Sequence, residues 1–345
     1  MRGMMKAMVL EQVNILTENA NPLSKRNIAV PVPEMDEILI RVSTCGVCHT
    51  ELDEIEGRTV TRIPVVPGHQ IVGYVEKIGS EVSSVKVGDR VGVGWIWWAC
   101  GKCSFCKSGN ENLCSEFLAT GRDVNGGYAE FMIARDKFVY PIPPLFSDEE
   151  AAPLLCAGAI GYRSLRLSGI KNGEYLGLTG FGASAHLVLK LAKYLYPSTG
   201  IFVFARNREE QKFALSLGAD WTGDTDSEPP VKLNAIIDTT PAWKPVTEAL
   251  KNLATEGRLI INAIRKEDAD KSDLMQIDYA RDLWMEKSIK SVANVSSKDI
   301  SGFLKISAEI PLKPEIQLYS LNEANSALID LKFGQVKGGK VLKIV

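Results

Sequence analysis

Between Leu176 and Ile261 short apolar runs alternate with helix-like stretches, and this alternation restricts the fold more than any other feature of the chain. Leu176-Gly-Leu178, Ile201-Phe-Val-Phe204, Ala235-Ile-Ile-Asp238 and Leu259-Ile-Ile261 read as strands. Leu187 to Tyr194, Glu209 to Leu217 (closed by Gly218) and a stretch near Val246–Leu253 read as helices. Strands alternating with helices predict parallel βαβ units, and so an α/β doubly wound sheet. The first strand runs into Gly180-Phe-Gly182-Ala183-Ser-Ala185, a GxGxxA turn. Its first glycine permits a tight turn. The second lets backbone approach a pyrophosphate, and the small third position packs helix on strand. The helix N-terminus then offers free N–H groups to phosphate oxygens. Flanked in this way, the motif predicts a dinucleotide site; an ordinary glycine-rich loop is the bland alternative.

The next strand ends Phe204-Ala205-Arg206-Asn207-Arg208. A carboxylate at this point accepts from the adenine-ribose 2′-hydroxyl of NAD. Ala205 takes that position, and Arg206 and Arg208 are suited to a 2′-phosphate. NADP(H) is therefore favoured over NAD(H), unless both arginines are merely solvated.

Four cysteines, Cys100, Cys103, Cys106 and Cys114, lie within fifteen residues. Two-residue gaps let successive thiolates wrap one ion, and four sulfurs complete a tetrahedron around structural zinc. Two disulfides are the bland reading, and an iron–sulfur cluster uses the same sulfurs. The chain opens Met1-Arg-Gly-Met-Met with no apolar signal stretch, so a reducing, cytoplasmic setting is expected. The 345 residues suggest about two domains. A net charge of −2 points to neither nucleic acid nor an anionic membrane. No apolar run is long enough to span a bilayer.

Roughly the first 150 residues read as strands and turns, among them Ile38–Val42, Ile71–Ile78 and Arg90–Val93. The end of the chain, Lys340 to Val345, reads as a strand. In the first part Cys45-Gly-Val-Cys48-His49-Thr50-Glu51 is followed by Pro67-Gly68-His69-Gln70, and Cys156 lies just before the nucleotide-binding segment. Two cysteines and a histidine make an open three-ligand zinc site that keeps a fourth position for substrate. The Cys45–Cys48 pair reads equally as a redox dithiol.

Taken in order, Cys48-His-Thr-Glu-Leu52, Pro67-Gly-His69, Val87-Gly-Asp-Arg-Val-Gly92, the four-cysteine lobe, Cys156 and Gly180-x-Gly182 resemble the zinc-containing medium-chain alcohol dehydrogenases over essentially the whole chain. The resemblance implies a GroES-like, mostly β catalytic domain over residues 1–157, with its lobe at about 95–118. It implies a Rossmann domain over 158–293, a return to the catalytic domain over 294–345, and an active site between the two. It implies catalytic zinc on Cys48, His69 and Cys156, hence two zinc ions per chain. It makes Thr50 the hydroxyl that bonds substrate, His49 a contact to the cofactor pyrophosphate, and Glu51 a carboxylate behind the ligands in place of the usual Asp. Cys45 becomes a buried thiol. The implied reaction is hydride transfer between a small alcohol and its aldehyde or ketone, in a homo-oligomer (dimer or tetramer).

The chain departs from the family pattern at several positions. Gln70 stands where Glu is usual after the ligand histidine. Asp53 lies where many relatives carry a proton-shuttling histidine; it either passes a proton or is a solvated surface carboxylate. Ile160 stands where relatives often have Thr, and Gly339 replaces a phosphate-binding Arg, for which Lys340 either compensates or faces solvent. Ile55, Trp95 and, with less support, Trp98 fall at pocket-lining positions, favouring apolar alkyl or aromatic substrates; tryptophans beside a zinc lobe also serve as packing. His186 reads as a packing or surface residue. The other readings are a zinc-free quinone or enoyl reductase of the same superfamily, and a non-catalytic metal- and nucleotide-binding protein.

Overall fold

The computed structural model describes residues 3–334 and 338–344. Its contacts divide the chain into two compact units, Met1–Cys156 with Val295–Val345, and Ala157–Asn294.

The first unit is built on a sheet of seven strands. Its centre is β1 (Glu37–Val47), followed in the chain by helix α1 (His49–Ile55) and by β2 (Ile71–Ile78), which pairs antiparallel with β1. The strand Gly339–Lys343 pairs with the end of β1, so that Lys340 lies opposite Val47, one residue before Cys48. Arg90–Val93 and Val139–Pro141 extend the far side. The inner face of β1 buries Ile38, Ile40 and Val42 against Met132, Tyr128 and the helix Ala324–Phe333. At about 25 cal/mol per Å² of apolar surface, burial of this kind is the main force holding the unit. A small antiparallel pair, Ile96–Trp98 with Leu118–Ala119, frames the segment carrying the four neighbouring cysteines.

The second unit is a parallel sheet of six strands: β3 (Tyr175–Thr179), β4 (Gly200–Phe204), β5 (Trp221–Gly223), β6 (Leu233–Asp238), β7 (Leu253–Ile261) and β8 (Ser288–Ser291). The strand order is β5-β4-β3-β6-β7-β8. This is the doubly wound order, with its switch point between β3 and β6. The central strands are buried on both faces, which is why they read as apolar runs without alternation. Helices α2 (Ala185–Leu195) and α3 (Arg208–Ser216) follow β3 and β4, and α4 (Lys244–Asn252) lies between β6 and β7. No helix among the described residues is long and apolar enough to cross a membrane.

Candidate metal centre and nucleotide-binding turn

Among the described residues, two groups of side chains could hold a metal ion, and both lie in the first unit. Cys48, at the N-cap of α1, brings its Sγ to 3.9 Å from the Sγ of Cys156, and His69 Nε2 is 3.3 Å from the same Cys156 sulfur. The three donor atoms lie within 4.8 Å of one another. Two Zn–S bonds of about 2.3 Å at a tetrahedral angle set sulfurs about 3.8 Å apart. The donor set therefore fits one zinc ion. His69 is aimed by Gly68, whose φ of +99° suits glycine; a Cβ there would lie 2.4 Å from the Tyr128 ring and 2.8 Å from Cys45 Sγ.

Behind His69 stands Glu51, fully buried. Its Oε1 is 2.6 Å from His69 Nδ1 and its Oε2 accepts the Cys48 backbone N–H at 2.7 Å. A carboxylate on Nδ1 fixes the imidazole tautomer so that Nε2 presents its lone pair to a metal. Burial, the largest single influence, would lower the His69 pKa, but the Glu51 carboxylate and the Cys48 sulfur together outweigh it and raise it well above the usual range. The hydrogen bond between the two sulfurs, helped by His69, keeps Cys48 well below the usual thiol range; the same bond, together with burial, pushes Cys156 up. Thr50 Oγ1 lies 3.6 Å from Cys48 Sγ. Cys45 is outside this group: burial pushes its thiol up, and its Sγ donates to Gly46 O at 3.6 Å. Gln70 is buried with its side chain over Gly46.

The structure narrows the reading of three of the expected site residues. Ile55 has no exposed surface and belongs to the hydrophobic core, so it packs within the unit where a pocket-lining position was expected. Asp53 is not a surface carboxylate: its side chain is 4% exposed and its Oδ1 faces Arg58 Nη1 at 3.3 Å. Lys340 does not face solvent; its buried ammonium donates to Gln317 Oε1 at 3.0 Å and to Tyr319 OH at 3.1 Å. Two of its three protons are thus engaged within the unit. Trp95, 5% exposed, packs edge-on against the His69 ring, with centroids 4.9 Å apart, and carries the Arg122 guanidinium over its face. Trp98 is half-buried and His49 is exposed. The sequence reading missed Glu54, a third carboxylate on α1, almost fully buried with Oε1 unpartnered; burial, reinforced by Glu51, holds its pKa well above the usual range. Its spacing of three from Glu51 on a short helix was the available signal.

The second group is Cys100, Cys103, Cys106 and Cys114, with Cys100 and Cys106 sulfurs 3.9 Å apart. No disulfide joins any cysteine. Backbone N–H groups of Cys100, Cys103 and Cys106 point at the sulfurs of Cys114, Cys100 and Cys103 at 3.4–3.5 Å. Such donors, first those of Lys102 and Cys103, bring the Cys100 thiol down to about 7, while burial pushes Cys106 up to about 12. Four sulfurs this close have room for one ion, not a multi-iron cluster, and leave no open position.

In the second unit Gly180 has φ +75°, and a Cβ at Gly182 would meet nothing within 4 Å, leaving open space beside the turn. Ala185 is fully buried, as the close packing of α2 requires. No side chain caps the start of α2; Ser184 Oγ instead donates to Ala157 O at 2.9 Å. Gly180, Gly182, Ala183 and Ala185 thus form a turn that fits a pyrophosphate on uncapped N–H groups. At the end of β4 Ala205 is buried and Arg206 and Arg208 are exposed. His186 is buried against Phe213, a packing residue. Ile160 lies half-buried on the helix Ala157–Ser168.

Residues 34–144 match the alcohol dehydrogenase GroES-like domain. The chain is 39% identical over 332 residues to the probable alcohol dehydrogenase AdhA of Mycobacterium tuberculosis, covering 94% of each. It is 31% identical over 340 residues to an alcohol dehydrogenase of Geobacillus stearothermophilus, covering 96% of this chain and 98% of the other. Its fold is shared with the CAD of Helicobacter pylori, solved with NADP(H), at a TM-score of 0.85, 24% identity and 99% coverage of each chain. With the two cysteine sites and the doubly wound unit in place, these likenesses make the chain a member of the zinc-containing medium-chain alcohol dehydrogenase family.

Proposed function

We propose that the protein oxidises a small primary or secondary alcohol to its aldehyde or ketone, and reverses the reaction, using zinc held by Cys48, His69 and Cys156 and a nicotinamide nucleotide held at Gly180–Ala185. The observation that carries this reading is the convergence of two thiols and one imidazole, with Glu51 behind the imidazole. Held there, zinc would supply Lewis acidity favouring the ionised form of an alcohol, and a bound nicotinamide would supply the hydride acceptor or donor. Thr50 orients the substrate oxygen and takes its proton into a hydrogen bond. His49, exposed beside it, is the contact to the pyrophosphate and the outlet for that proton. Glu51 holds His69 in its ligating tautomer. Asp53, committed to Arg58 and shielded from water, serves the shape of α1 instead of a relay. Cys100, Cys103, Cys106 and Cys114 hold a second, structural zinc. The enzyme works as a homo-oligomer in the cytoplasm, where its seven cysteines stay reduced.

NADP(H) is the proposed coenzyme, because Ala205 offers no carboxylate to a ribose 2′-hydroxyl and Arg206 and Arg208 are exposed, where cationic side chains suit a 2′-phosphate. The test is turnover of alkyl and aromatic aldehydes with each coenzyme, in the wild type and in Ala205→Asp. The wild type should prefer NADPH, and the variant should move towards NADH by repelling the phosphate. An unchanged ratio of kcat/KM values would remove the basis for naming NADP(H).

A further inference from the structure

The end of β6 holds a buried ion pair that no part of the proposed chemistry uses. Asp238 is fully buried, and its Oδ1 accepts from Thr179 Oγ1 at 2.8 Å, from Thr240 Oγ1 at 2.8 Å and from Thr240 N–H at 3.2 Å. Its Oδ2 accepts from Lys266 Nζ, whose side chain is 7% exposed. Lys266 also donates to the carbonyls of Thr240 at 2.8 Å and Ala242 at 2.9 Å, which uses all three ammonium protons. Beside it Glu267 N–H donates to Pro241 O at 2.7 Å, and Asp270 accepts the N–H groups of Trp243 and Lys244, both at 2.8 Å. The loop after β7 is thereby stitched to the loop after β6.

The place of this network matters more than its existence. Thr179 ends β3, Asp238 ends β6, and the two are in register across the switch point of the sheet. Ligands of open parallel sheets sit outside the carboxyl ends of the strands at that point. The glycine turn rests directly on the stitched segment: a Cβ at Gly180 would lie 2.9 Å from both Thr239 Oγ1 and Thr240 Cγ2, and Thr239 Oγ1 donates to Thr179 O at 3.0 Å. A buried ion pair is weak evidence for stability, since removing two charges from water costs about what their attraction returns; specifying one conformation is a better-supported role.

We infer that Lys266 is a positioning residue for the dinucleotide crevice, clamping segments 239–242 and 262–266 through Asp238 so that the phosphate turn is held ready before the cofactor arrives. The inference rests on the nucleotide-binding reading of Gly180–Ala185. A preformed wall spares the ligand the cost of ordering it. The clamp lies away from Ala205, so it acts on NADPH and NADH alike.

The test uses full-length, metal-replete protein, with dissociation constants for NADPH and NADH from nucleotide fluorescence and with thermal melting as the fold control. Lys266→Met should weaken both nucleotides about tenfold, in keeping with the coupling carried by such networks, with kcat at saturating cofactor close to wild type. Thr240→Val, which removes one donor to Asp238, should weaken both by a smaller factor and decides the question alone if Lys266→Met does not fold. Arg258→Met is the structural control. It breaks the 3.2 Å pair with Glu174 at the opposite, amino end of the strands, and should lower the melting temperature without changing either dissociation constant. If Lys266→Met or, in its place, Thr240→Val binds both nucleotides as the wild type does, the clamp is overturned. If the wild type itself binds neither nucleotide, it is the nucleotide reading that fails.

Discussion

The two cysteine sites lie in one folding unit and are built in opposite ways. The four-cysteine site is local: its ligands fall within fifteen residues, three of the four are half-exposed, and its sulfurs are steadied by neighbouring backbone N–H groups. The Cys48–His69–Cys156 site is assembled from three distant segments and reaches across 108 residues of chain; His69 and Cys156 are buried, Cys48 is half-buried, and a carboxylate stands behind the imidazole. One closes on itself with four sulfurs; the other has three donors, one short of a tetrahedron. A closed site contributes folding energy, whereas an open one can meet a substrate. Function is expected to follow the site that the fold must assemble, and stability the site that the sequence supplies by itself.

The sharpest way to break this contrast is His69→Ala, which removes one of only three ligands. Turnover should fall to background and bound zinc should drop from two ions per chain to one, read by atomic absorption, with the lobe still loaded. Full activity in this variant would end the distinction. Glu51→Gln asks whether the carboxylate behind His69 matters as argued. Loss of outer partners of this kind costs about 10–100-fold in metal affinity or activity, so a chelator titration should show weaker retention of the buried ion alone. Cys103→Ser probes the other side. Its melting temperature should fall by several degrees while turnover at low temperature is nearly kept, because the lobe supplies folding energy and no reacting group. Lost activity at unchanged thermal stability would reverse the assignment.

Much of this arrangement was legible in the sequence, for reasons that differ by region. The strands of the second unit announce themselves because burial on both faces demands unbroken apolar runs such as Ile201–Phe204. The four-cysteine site is legible because ligand spacing is itself the geometry. Cys48, His69 and Cys156 could be grouped only through the order of motifs around them, since nothing local says that residue 156 returns to residue 48. The burial of Ile55 was not legible, because its position was taken from the family resemblance, while the turn of α1 that buries it is a tertiary fact. Asp53 was left between two roles because a carboxylate shows nothing of its partner until Arg58 is seen beside it. Lys266 and Asp238 lie 28 residues apart without a motif, and a buried charge pair leaves no trace in hydropathy.

The central claim is that the buried donor set, and not the lobe alone, holds a metal. Anomalous diffraction across the zinc edge from crystals of the metal-replete protein tests it directly. The account predicts two peaks per chain, one among Cys100, Cys103, Cys106 and Cys114 and one touching Cys48 Sγ, His69 Nε2 and Cys156 Sγ. A map with density at the lobe and none at the second position would contradict it.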